Sequence, residues 1–131
     1  MKLLLIITLL LSSLTAKELN WLHHYDSALQ LAKMMKKDVY LFIGADECRF
    51  CDKFKRETLS DKNVIKKLKE NFILLYMSRD RHKIPSKFKT KGVPQHYFLT
   101  ENGDIILTTN GSREINGFYL LLEEVDLLKE D

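Results

Sequence analysis

Between Asp38 and Gly44 stand five apolar residues in a row, Val39-Tyr40-Leu41-Phe42-Ile43, β-branched and aromatic and too few for a helix. Such a run reads as a buried strand. After Gly44-Ala45-Asp46-Glu47 comes Cys48-Arg49-Phe50-Cys51, and from Cys48 to about Glu57 the composition is helical. A cysteine pair therefore sits where a strand hands over to a helix, and the rest of the chain must fold around that junction.

The remaining pattern fits it. Ala28, Leu31, Ala32 and Met35 recur at steps of three and four, predicting a helix over Tyr25 to Lys37 capped by Asp26 or Ser27. Ser60-Asp61 opens another, with Val64, Ile65 and Leu68 on one side and the solvated Lys66, Lys67 and Lys69 on the other. Phe72 to Met77 is a second buried-strand run, and the polar connection from Ser78 to Lys91 is expected to hold a short helix. His96 to Thr100 and Asp104 to Thr109 flank Glu101-Asn102-Gly103, a hairpin signal. Phe118, Leu121, Leu122, Val125 and Leu128 form a closing helical stripe. This order predicts an α/β fold, a central mixed sheet of about four to five strands with helices on both faces. With 131 residues and no linker or repeat, one domain is expected.

The first residues differ. Met1-Lys2 is a short basic start, and Leu3 to Leu14 is almost wholly apolar, which is the pattern of a signal peptide over residues 1–16 with cleavage after Ala16. The run falls short of the roughly 20 residues a membrane span requires. Leu14 stands where a small residue is preferred, so an uncleaved anchor is the alternative. No Cys closes the run, so a lipoprotein acceptor is lacking. A net charge of +3 on a chain that is 30% charged argues for solubility and against a nucleic-acid surface, which would concentrate Lys and Arg on one face.

Two cysteines in an exported chain are expected to pair. At a helix start the first sulfur meets unpaired backbone N–H groups and the positive end of the helix dipole, both of which favour a thiolate, and Arg49 adds positive charge. Cys48 is thus the candidate nucleophile and Cys51 the resolving thiol. A purely structural disulfide is the rival, but a two-residue loop constrains the unfolded chain little. A metal site would need further ligands from His23, His24, His82 and His96, none at a standard spacing, and Asp52 after the second Cys excludes covalent haem. No metal and no cofactor are expected. His96 is read as structural, Phe50 as an exposed contact for partner peptides, and Trp21 and Tyr40 as core or edge aromatics.

Val39 to Cys51 as strand, loop and Cys-x-x-Cys, followed by Gly92-Val93-Pro94 before a strand, resembles the thioredoxin superfamily over nearly all of residues 17–131. Ala32-Lys33 through Asp38 and Glu57-Thr58-Leu59-Ser60-Asp61 are most similar to its exported group, which includes the carboxy-terminal domain of DsbD and SoxW-type proteins. The resemblance implies a thioredoxin-like domain with Pro94 cis beside the disulfide, and substrate contact by Arg49, Phe50, Val93 and Pro94. It also implies a periplasmic monomer that exchanges protein thiols and disulfides, more as reductase than as oxidant, with a membrane electron donor of the DsbD/CcdA type. A disulfide-forming oxidant and a non-catalytic peptide-binding module are the alternatives. Phe42 and Tyr76 stand where thioredoxins carry a buried Asp and its accompanying Lys, leaving Glu47, Asp46 or water to take the proton of Cys51.

Overall fold

The computed structural model describes residues 19–131; the expected signal peptide, residues 1–16, lies outside them. The described residues form four helices and four strands: α1 (Tyr25–Met35), β1 (Asp38–Gly44), α2 (Arg49–Glu57), α3 (Lys62–Asn71), β2 (Phe72–Ser78), β3 (Gln95–Leu99), β4 (Ile105–Asn110) and α4 (Ile115–Glu130). The sheet runs β2-β1-β3-β4. The β1–β2 pair is parallel, because two helices and a crossover separate the strands, and the other pairs are antiparallel. Leu22 adds one parallel bridge to the outer edge of β2, donating to Leu74 and accepting from Tyr76.

Alternation along the strands divides the core into two layers. Tyr40, Phe42, Leu74, Tyr76 and Phe98 face α2, α3 and α4, and Phe54, Val64, Leu68, Phe118 and Leu122 pack onto them. Val39, Leu41, Ile43, Ile73, Leu75 and Tyr97 face the other way, onto Ala28 and Ala32 of α1. Both strands of the parallel pair, β1 and β2, are therefore apolar at successive positions, the continuous pattern that marks them in the sequence.

Four local expectations need correction. Neither Asp26 nor Ser27 caps α1: His24 holds that position without a side-chain bond, and the helix ends at Met35 because Lys36 turns left-handed at φ 53°. The connection from residue 79 to 94 contains turns and no helix. It has no repeating apolar stripe, and its anchors are Phe88, buried between Tyr25 and Tyr97, and the Tyr97 hydroxyl donating to the Lys89 carbonyl. Leu128 falls off the buried stripe of α4 and is substantially exposed. Finally, Cys48 and Asp61 stand just outside their helices as caps; the Asp61 carboxylate accepts from the N–H groups of Asn63 and Val64, both at 3.0 Å. The hairpin turns as expected at Gly103, whose φ of +86° suits glycine.

Candidate active site

The end of β1 is fastened before the cysteines begin. A Cβ on Gly44 would lie 2.8 Å from the Tyr76 hydroxyl, so only glycine lets that ring close over the strand end. Asp46 Oδ1 accepts from Arg81 Nε at 2.6 Å and from Ser78 Oγ at 3.1 Å, while the Asp46 N–H donates to Asp80 Oδ2 at 2.8 Å. The loop is thus braced against the turn after β2. Asp46 is occupied in this brace rather than placed beneath the cysteines.

Cys48 and Cys51 are joined in a disulfide with their Cα atoms 5.2 Å apart. Cys48 is the N-cap of α2, and its Sγ accepts the Cys51 N–H at 3.1 Å. The same donor and the same helix end would face a Cys48 thiolate once the bond is reduced, lowering the energy of the charged form. Burial separates the two sulfurs: Cys48 is 9% exposed and borders an open groove, whereas Cys51 is 0% exposed. An incoming disulfide can reach only the first.

Arg49 and Phe50 stand outward at the start of α2, the guanidinium 5.4 Å from the Phe50 ring centre and the ring itself 53% exposed. Glu47 lies at the rim, in the groove that Cys48, Arg49, Phe50 and Lys53 border, and Cys51 is not part of that lining. A second groove is lined by Phe50, Lys53, Val93, Pro94, Gly111 and Ser112, so Phe50 and Lys53 form the ridge between the two. The Val93–Pro94 peptide is cis, as the motif implied. The structure therefore gathers Cys48, Arg49, Phe50, Val93 and Pro94 at one end of the molecule and leaves Glu47 on its outer margin.

Under the motif the chain departs from the expected acid. Phe42 is fully buried and meets the rings of Phe54 at 5.6 Å and Tyr76 at 5.2 Å. Lys55, four residues after Cys51 on α2, lays its ammonium 4.5 Å from the centre of the Tyr76 ring. Sequence reading missed Lys55; the i to i+4 step from Cys51 was the only available signal.

The histidines do not converge on the cysteines. His23 and His82 stack at 5.2 Å beside the turn after β2. Burial, with the nearby charges of His23, Arg81 and His24, lowers the pKa of His82, against an opposing contribution from Asp46. His96 is buried in the sheet, its pKa lowered to about 4 by burial, with the Gly111 carbonyl opposing and Arg113 adding to the shift. Among the described residues no group of three or more His, Cys, Asp or Glu could hold a metal ion, and no helix is long and apolar enough to cross a membrane.

A family model described as thioredoxin-like matches residues 20–100, which takes in β1, the cysteine pair, β2 and β3. The chain belongs to the thioredoxin-like family. Among solved structures, a thioredoxin from Thermus thermophilus is 25% identical with a TM-score of 0.70, covering 82% of this chain and 87% of that one. The DsbD carboxy-terminal domain of Neisseria meningitidis, in the oxidised form, is 14% identical with a TM-score of 0.65 and covers 80% and 98%, a likeness of fold alone. An uncharacterised protein of Archaeoglobus fulgidus is 30% identical over 63 residues, which is 48% of this chain and only 50% of that relative's length. The thioredoxin-like fold, with its paired Cys48 and Cys51, supports thiol–disulfide oxidoreductase chemistry in general.

Proposed function

We propose that this protein is an exported thiol–disulfide oxidoreductase that reduces protein disulfides. The observation that carries the reading is Cys48 at the N-terminus of α2, nearly buried but bordering an open groove, beside a fully buried Cys51 one turn further on. In the reduced protein the Cys48 thiolate attacks one sulfur of a substrate disulfide, forming a mixed disulfide and releasing the other substrate sulfur as a thiolate, which takes up a proton. Cys51 then loses its proton, with Glu47 or water as acceptor, and its thiolate attacks Cys48 Sγ. The Cys48–Cys51 bond forms and the second substrate thiol leaves. Two electrons and two protons have passed to the substrate.

Arg49, Phe50, Val93 and Pro94 form the substrate surface, with extended backbone laid along the groove between Phe50 and Pro94. A membrane electron donor of the DsbD/CcdA type returns the pair to the dithiol. The basic, apolar start of the chain supports export to the periplasm, and the protein acts as a monomer. The test is turnover of a protein disulfide with and without Cys48→Ser. Loss of turnover supports the enzyme; turnover that survives refutes it, and peptide binding without any turnover in the unaltered protein identifies the binding module instead.

A further inference from the structure

His96 is a fully buried histidine that the exchange chemistry does not use. Its Nε2 lies 2.8 Å from the Gly111 carbonyl oxygen, and its Nδ1 lies 2.6 Å from the Tyr40 hydroxyl. A carbonyl can only accept, so Nε2 carries the proton; Nδ1 is then the bare acceptor and Tyr40 donates. The tautomer is fixed from both sides.

The chain of bonds continues outward. Gly111 donates its own N–H to the Pro94 carbonyl at 2.8 Å, and both residues line the groove that begins at Phe50. Gly111 has a φ of +100°, so its peptide is turned in a way a side chain would resist. The ring of His96 is itself clamped, stacked on Tyr40 and Phe42 at 5.9 and 5.8 Å and met edge-on by Phe54 of the active-site helix at 5.0 Å. One set of rigid contacts thus connects the sheet centre, α2 and the Pro94 wall.

We propose that His96, oriented by Tyr40, is a positioning residue for substrate: through Gly111 it sets the Pro94 wall of the groove at the height an extended peptide requires beside Cys48. It is not a catalytic residue, since neither ring nitrogen reaches the cysteines. An enclosed ring with both nitrogens bonded is a poor proton carrier but a firm strut.

The assignment rests on the exchange reaction proposed above, so the experiment reads the two separately. Reduction of insulin, a protein disulfide, and of cystamine, too small to fill the groove, is measured with dithiothreitol as reductant for the protein, Tyr40→Phe and His96→Leu. Affinity for reduced, carboxymethylated insulin B chain, which has no disulfide, is measured beside it. The expected result is a KM for insulin raised about fivefold or more in both variants, with kcat and the cystamine rate changed less than about twofold. B-chain affinity falls in step. An unchanged KM for insulin, or equal losses on insulin and cystamine, overturns the proposal. Should His96→Leu fail to fold, Tyr40→Phe, which deletes one hydroxyl and no packing atom, decides alone. If the unaltered protein reduces neither disulfide, the exchange reading fails; B-chain affinity then decides the positioning role, for it if the variants bind more weakly and against it otherwise.

Discussion

Acidification should destabilise this fold through one identified residue. The imidazole of His96 has its pKa lowered from the ordinary 6.5 to about 4, chiefly by burial. The groups facing it are the Tyr40 hydroxyl from β1, the Gly111 carbonyl beyond β4 and the charge of Arg113, and only the carbonyl favours the protonated ring. Because the folded-state pKa lies below the unfolded one, the unfolded chain takes up the proton first as pH falls. Stability is complete above about pH 6.5, declines towards pH 4 and levels off below it. A difference of 6.5 against about 4, evaluated between pH 7 and pH 4, amounts to about 3 kcal/mol. The assay is urea unfolding of the oxidised protein, followed by the fluorescence of Trp21, the sole tryptophan, at pH 7 and pH 4. The comparison is His96→Gln, which keeps a polar side chain and cannot titrate, so that carboxylates and the other histidines cancel. The stability of the unaltered protein relative to the variant should fall by about 3 kcal/mol between the two pH values. Parallel pH profiles would refute a neutral, desolvated His96.

Three further outcomes follow from the geometry. Cys51→Ser, which removes the thiol proposed to resolve the exchange, should accumulate a stable mixed disulfide between Cys48 and a protein substrate, visible as a band on non-reducing gels that dithiothreitol removes. Gly111→Ala, whose Cβ would meet only Arg113 Nη1 at an unstrained 3.7 Å but whose φ is +100°, should cost about 1–3 kcal/mol in urea unfolding from backbone strain. Asp61→Ala removes the cap of α3 and should cost about 1 kcal/mol, with Asp61→Asn restoring most of it.

The sequence revealed the elements whose signal is local. β1 and β2 announce themselves because both faces of each strand are buried, and the Asn-Gly turn shows because only glycine tolerates the conformation at 103. The cysteine site was legible for the same reason: the strand, the break and the helix start lie within 20 residues of one another. What escaped depends on partners far apart in the chain. The bond from His96 to Tyr40 spans 56 positions and that to Gly111 spans 15, so no local pattern distinguishes His96 from any other strand histidine. The engagement of the Asp46 carboxylate is equally non-local, its donors Arg81 and Ser78 standing 35 and 32 positions further along the chain. The helix expected after Ser78 failed because Phe88 and Tyr97, rather than a repeating stripe, tie that connection to the sheet.

The central claim is that Cys48 and Cys51 form a reversible dithiol–disulfide couple, and the direct measurement is its reduction potential, by equilibration with glutathione or dithiothreitol buffers. A potential near or below about −200 mV is predicted for a reductase, and one near −120 mV would make the protein an oxidant instead. A pair that shows no reversible oxidation at any buffer ratio would contradict the account.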